Sequence, residues 1–494
     1  MMSDFRPHTP DAAGDLTTPR GLYFALLQPD PSPEARSAGQ AYLARQLEAT
    51  ASLPCELPEQ PEALMTWMDQ QAAQVGDAYQ AYLEERKAGA PRRYFQTKSH
   101  ALYFLKSVAP TKAVDGAWLY GLLQRWNDAR FYPLIRIYLE ELGDGEPEKN
   151  HVLLYKKLLA THGCEGWEQL DDSFFVQGAL QLALGYGADQ YLPEVIGFNL
   201  GYEMLPLHLL ITAYELNELG IDPYYFTLHI TVDNPSTGHA RKAVQGVMEA
   251  LPLLGDSDSF WQRLCNGYRL NSLGAGTCSV IEHFNLDQEV VAMLAAKSEA
   301  GRYVHSDYCR IGGHTVNEWL ATPDRISEFL AALEAHGWIR RNQPPENSRF
   351  WRLIEGERAE MFGVFTAYEQ QLLHDWIAGE SALHAEARPN GERSGLRKRQ
   401  PTFRAKQRML ERLAGQPNRS AHRSPGLAEA LSSANPEGMP GSDFDSEEAA
   451  LASQLKAQPD REAVMNTLVA QLAPALHATP AGLKATQLFA RLLG

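Results

Sequence analysis

Two short stretches of this chain concentrate the residue types that bind metal ions. From Tyr138 to His151 the sequence YLEELGDGEPEKNH offers Glu141 and His151. From Phe198 to His239 it offers Glu203, His229, Asp233 and His239, all in apolar, aromatic surroundings. Charged side chains are seldom fully buried unless they are paired or hold a metal, so carboxylates in such company need a partner. Three carboxylates with three imidazoles make a hard-to-borderline ligand set, suited to non-haem iron, manganese or zinc. Reduced iron can hand electrons to dioxygen, which otherwise reacts sluggishly with closed-shell organic compounds.

Spacing sharpens the set. The segment FTLHITVD, Phe226 to Asp233, reads as a strand by alternation and β-branching, and as a helix by its surroundings. In either form His229 and Asp233, four apart, share a face. His239 comes six residues after Asp233, a step that leaves that face on a regular helix. Asn234-Pro235 supplies the irregularity that would bring it back. Glu148 rivals Glu141, because Glu148 and His151 form an i, i+3 pair of the ferritin-like kind; no second such pair exists, which argues against that bundle. Asp115 reads as a helix N-cap or an additional carboxylate, His208 as a partner to a ligand, and Glu215 as solvent-facing. Arg302, His305, Cys309 and His314 fit no standard zinc spacing.

In combination these motifs resemble those of the iron-containing redox enzyme family, the haem-oxygenase-like diiron oxidases. In that family one helix gives a glutamate and then a histidine, a second gives a glutamate, and a third carries His-x3-Asp with a histidine close behind. The ELGDG…H context of Glu141 and His151 resembles the first part, FNLGYE with Glu203 the second, and His229 with Asp233 the third. Where the family pattern has its last histidine, three after the aspartate, this chain has Ser236. The resemblance covers roughly residues 110 to 260. It implies a compact all-α, haem-oxygenase-like helical bundle and two Fe ions per chain. Glu141, His151 and His229 would serve mainly one iron, and Glu203, Asp233 and His239 the other, with no catalytic group beyond these ligands. Dioxygen and a small organic substrate, beside Tyr202, Met204 and Phe226, are the implied partners, with an electron donor left unnamed. Two other readings stay open: a haem-binding or haem-degrading oxygenase on the same fold, and a metal-free helical scaffold that binds partners.

The rest of the chain must position these residues. Its 494 residues exceed the usual single domain, and a formal charge of -16 argues against nucleic acid as the main partner. No uncharged apolar run reaches ~18 residues and no secretory leader is seen, so a cytoplasmic protein, off the membrane, is expected. A second copy of the chain as a homodimer partner is compatible with this. Five cysteines without a CxxC pair suggest reduced thiols. Residues 1–35 read as a flexible leader and 36–94 as helices packing on the core. Residues 95–380 read as the metal-binding domain, 386–445 as a disordered linker with a basic run at 397–399, and 446–494 as an amphipathic helical tail. Pro193 and Pro206 should start, kink or interrupt helix between 174 and 219, Gly220 should end one, and Asp222-Pro223 should begin the next.

Overall fold

In the computed structural model the described residues are 15–253, 255–303, 305–306, 308–355, 359–361, 363–379 and 443–493. Their regular structure is almost wholly helical, with one two-stranded antiparallel hairpin, Arg310–Ile311 with His314–Thr315. The all-α expectation holds.

The prolines divide the central sequence as their chemistry requires. Val176–Gly187, Leu192–Tyr202 and Leu207–Glu218 are three helices, with Pro193 in the first turn of the second and Pro206 capping the third. Gly220 takes a φ of 72° after the last. Asp222 accepts the Tyr224 N–H at 3.1 Å, and the next helix runs Tyr224–Val232, so FTLHITVD is helical. Its alternation loses because the segment packs against Leu207–Glu218, and tertiary context overrides local propensity. Leu119, Leu122 and Leu123 lie on a 3-10 helix, Ala117–Arg125, tighter than the α-helix their spacing suggests.

Two apolar clusters fill the interior. One draws on Leu22 to Met68, Val114 to Leu142, Phe175 to Leu200, Ala240 to Leu270 and Leu451 to Leu492. The other draws on Phe95 to Ala109, Tyr155 to Cys164, Ala213 to Phe226 and Val280 to Ile377. Leu142 and Ala240, next to Glu141 and His239, belong to the first; Tyr155 and Phe226, a turn from His151 and His229, belong to the second. The candidate ligands therefore lie at the seam between the clusters.

Both terminal regions enter this core. Within the stretch read as a flexible leader, Pro19–Leu26 is a helix capped by Thr18, with Leu22, Tyr23 and Leu26 fully buried. Burial of those three side chains is worth roughly 1.5–3 kcal/mol each, enough to order a short helix that propensity alone would not hold. The helices Asp443–Lys456, Arg461–Gln471 and Pro480–Leu493 pack onto the first cluster, and Tyr138 Oη donates to the Leu472 carbonyl at 2.6 Å. The linker and basic run expected at 386–445 fall outside the described residues except at their last three positions.

No single described helix is long and apolar enough to cross a membrane. The bent pair Leu192–Tyr202 and Leu207–Glu218 has the length and composition together, but the first of these buries Pro193 to Leu200 inside the protein. It runs backbone against backbone with Ser257–Arg269: a Cβ on Gly197 would lie 1.9 Å from the Leu264 carbonyl oxygen. Gly197→Ala should therefore lower the unfolding free energy by about 2 kcal/mol or more. Gly76→Ala, mid-helix with open space around it, should raise it by roughly 0.5–1 kcal/mol. Urea denaturation of the two variants checks this; a neutral Gly197→Ala would refute the close packing.

Candidate metal centre

Three helices end at one point and two begin there. Glu141 is the last residue of Tyr132–Glu141, Glu203 caps the C-terminus of Leu192–Tyr202, and Asp233 caps that of Tyr224–Val232. His151 opens His151–His162, and His239 opens His239–Ala250. His229 projects from within Tyr224–Val232. All six are at most 6% exposed, so the structure buries the whole candidate ligand set. A helix C-terminus carries about half a negative charge, the wrong neighbour for a carboxylate and the right one for a cation.

The turns between these helices set the geometry. Gly143, with φ 66°, lets the chain reverse after Glu141, and a Cβ there would meet the Asn150 nitrogen at 2.5 Å. Asn150 then caps His151–His162 by accepting the Leu153 N–H, and its amide contacts His477 Nδ1 at 3.3 Å, tying this turn to the C-terminal helices. After Asp233 the Asn234 side chain accepts from the Ser236 and Thr237 backbone N–H groups. The helix stops, turns, and restarts at His239, which removes the difficulty of the six-residue step.

Among the described residues two groups of side chains could each hold a metal ion: Asp115, Glu141, His151 and His229, and Glu141, Glu203 and His239. Glu141 belongs to both. Its Oε2 lies 2.5 Å from His151 Nδ1 and its Oε1 3.2 Å from His239 Nδ1. Glu203 Oε2 approaches the same His239 nitrogen at 3.1 Å and Asp233 Oδ1 at 3.3 Å, which sets Asp233 beside the second group. Several contacts are short without hydrogen-bond geometry: Glu141 Oε2, His151 Nδ1, Glu203 Oε1 and Asp233 Oδ1 have no hydrogen-bond partner. Each orphaned buried group costs about 1–3 kcal/mol, so four together would cost a large part of a domain's stability. Atoms aimed at common points but not at each other fit cations between them.

Asp115 corrects the N-cap reading. It makes no cap, because Gly116 precedes the Ala117–Arg125 helix without any side-chain cap bond. Buried at 2% exposure, its Oδ2 accepts from Tyr225 Oη at 2.5 Å and sits 3.2 Å from His229 Nε2, while Lys112 Nζ is 3.7 Å from Oδ1. Tyr202 Oη donates to Asp115 Oδ1 at 3.3 Å, and Phe226 packs on Phe104 with ring centroids 6.1 Å apart. Glu148 is exposed and Lys149 pairs with Glu146, so the rival to Glu141 drops out. Glu215, expected at the surface, is fully buried and accepts from Tyr82 Oη and the backbone N–H groups of residues 93–95. Among the described residues His208 bonds none of the cluster, and Arg302, His305, Cys309 and His314 form no metal group.

Sequence reasoning also passed over Glu140. Its Oε2 lies 2.9 Å from His239 Nε2, and Lys242 and Arg136 hold the carboxylate from the other side. His239 is thereby turned so that Nδ1 faces the cluster, and His229 Nδ1 meets the Tyr225 carbonyl at 2.9 Å, which leaves Nε2 facing inward. Fixing the outer ring nitrogen is how proteins orient metal-binding histidines.

Electrostatics tell the same story for the metal-free protein. Burial pushes the Glu203 carboxyl up to about 8, despite His239. Burial opposes charge on His229, but Asp115 outweighs it and lifts the imidazole to about 9. His239 is held well above its ordinary value, against burial, by Glu203 and its other carboxylate neighbours. Glu141 lies well below its own, burial notwithstanding, because of His151 and His239. Protons thus do the work of cations in a site built around negative charge.

Residues 102–271 match the family model described as iron-containing redox enzyme. No curated protein and no solved structure matches the chain. The matched span contains Asp115 and all six residues of the sequence-derived set, in an all-helical frame, so residues 102–271 are similar to the iron-containing redox enzyme family.

Proposed function

We propose that this protein is a non-haem diiron oxidase or oxygenase that uses dioxygen to oxidise a small organic substrate. The supporting observation is the pair of ligand groups that share Glu141, with four buried ligand atoms left unpartnered. Asp115, Glu141, His151 and His229 would hold one iron; Glu141, Glu203 and His239, with Asp233 beside them, the other. Four carboxylates, Asp115, Glu141, Glu203 and Asp233, balance the charge of two ferrous ions, which the three-carboxylate set does not.

Bound iron would supply the electrons that dioxygen needs. The remaining tasks fall to the protein. Glu140 and the Tyr225 carbonyl fix the rings of His239 and His229. Reduction of dioxygen consumes protons, and Tyr225 Oη, Tyr202 Oη and Lys112 Nζ hold protons around Asp115. Lys112 stays charged although burial opposes it, because of Asp115 and Tyr202. The apolar seam excludes bulk water and strengthens each of these interactions. A haem reading needs one histidine and leaves the carboxylates without a task.

Protein reconstituted with ferrous ion without oxygen should hold about two irons per chain and develop no haem band; one iron or a haem spectrum would refute the proposal. Asp115→Ala and His239→Ala should each retain about one iron, whereas Glu141→Ala should lose most of both. Iron analysis of the purified variants distinguishes a shared Glu141 from separate sites. Metal binding must displace the protons on Glu203 and His229, which persist up to about 8 and about 9. Ferrous affinity should therefore fall at least about tenfold between pH 8 and pH 6, with proton release on binding. Calorimetry in buffers of different ionisation enthalpy measures both; a flat profile would contradict the assignment.

A further inference from the structure

Away from the metal cluster the fold joins two thiols that are far apart in sequence. Cys55 lies in the segment after the Pro33–Thr50 helix and is half-buried; Cys265 lies within the Ser257–Arg269 helix and is 8% exposed. The two thiols interact where these segments meet. The two segments are pinned around this contact, with Arg269 Nε donating to the Leu53 carbonyl at 2.8 Å and Tyr268 Oη reaching Glu56 Oε2 at 3.4 Å.

The environment separates this pair from the other cysteines. Its neighbour Cys265 draws the Cys55 thiol down to about 6, with help from Arg269 and against burial and Glu56. Cys164 is pushed up to about 12 by burial. Cys55, the more exposed of the two, is placed to attack, and buried Cys265 to resolve.

We propose that Cys55 and Cys265 are a redox modification site that closes to a disulfide under hydrogen peroxide and reopens under thiol reductants. The Cys55 thiolate attacks one peroxide oxygen, the O–O bond breaks, and the departing hydroxide takes up a proton as water. The Cys265 sulfur then displaces the hydroxyl of the Cys55 sulfenic acid, its own proton leaving with that hydroxyl as a second water. Two thiols and one peroxide give one disulfide and two waters.

The link bears on the rest of the molecule through the helix that carries it. Next to Cys265, the Leu264 carbonyl is the atom that leaves no room for a Cβ on Gly197, and Arg263 pairs with Glu194 at 2.7 Å. The disulfide therefore clamps the segment around Cys55 to a helix in rigid contact with Leu192–Tyr202, which ends at Glu203.

The experiment needs no iron and stands or falls apart from the metal assignment. Full-length protein carrying Cys278→Ser, to remove the exposed thiol, is treated with hydrogen peroxide and digested. The expected result is a peptide pair joined through Cys55 and Cys265, lost on addition of dithiothreitol and absent in Cys55→Ser. Before oxidation, iodoacetamide should alkylate Cys55 at least about tenfold faster than half-buried Cys309. The oxidised form should melt several degrees higher than the reduced one, since the link closes a long loop. No joined peptide at peroxide doses that oxidise Cys55 to sulfinic acid, or alkylation of Cys55 no faster than Cys309, would overturn the proposal.

Discussion

Negative charge buried where helices end is the constraint around which this fold is organised. Glu141, Glu203 and Asp233 each stand at a helix C-terminus, so side-chain charge and backbone dipole add with the same sign. Asp115 adds a further carboxylate from the turn before Gly116. Such an arrangement survives only if positive charge sits among the oxygens. In the metal-free protein, protons on His229 and His239 serve, with Lys112 and Lys242 at the margins. His151 and His239 lie instead at helix N-termini, each opening the helix that follows a carboxylate-bearing turn.

Holding those ends together against their repulsion requires a stiff frame. The close glycine-mediated contact of Leu192–Tyr202 with Ser257–Arg269 fixes the helix leading to Glu203. The C-terminal helices fix the turn between Glu141 and His151 through Leu472, His477 and Gln487, the last donating to the Gly145 carbonyl at 3.1 Å. The helices that carry the candidate ligands therefore depend on residues beyond the family-matched span. On this account the terminal segments are structural parts of the centre.

Much of this was legible in the sequence because polar residues in apolar stretches carry their own signal. Glu141, His151, Glu203, His229, Asp233 and His239 could be picked out one by one, and the prolines and Gly220 marked the helix boundaries. What stayed hidden depended on contacts between distant segments. Asp115, in VDG, looks like any helix-starting aspartate until Glu141 packs beside Gly116. Glu140 is indistinguishable from a surface glutamate until His239 arrives against it, and Glu215 reads as exposed until the loop at 93–95 closes over it. The helical repeat of the C-terminal segment showed an apolar face without showing what covers it. The strand-like FTLHITVD misleads for the same reason, since its β-branched residues are buried by neighbouring helices and not by a sheet.

The most direct test of the central claim is the position of the metals themselves. Anomalous diffraction at the iron edge, from crystals of protein loaded with ferrous ion without oxygen, should show two peaks about 3.5–4 Å apart, on either side of the Glu141 carboxylate. One of them should lie within bonding distance of Asp115, His151 and His229, and the other of Glu203 and His239. A single peak, or peaks outside the seam between the two apolar clusters with Glu141 unligated, would contradict the account.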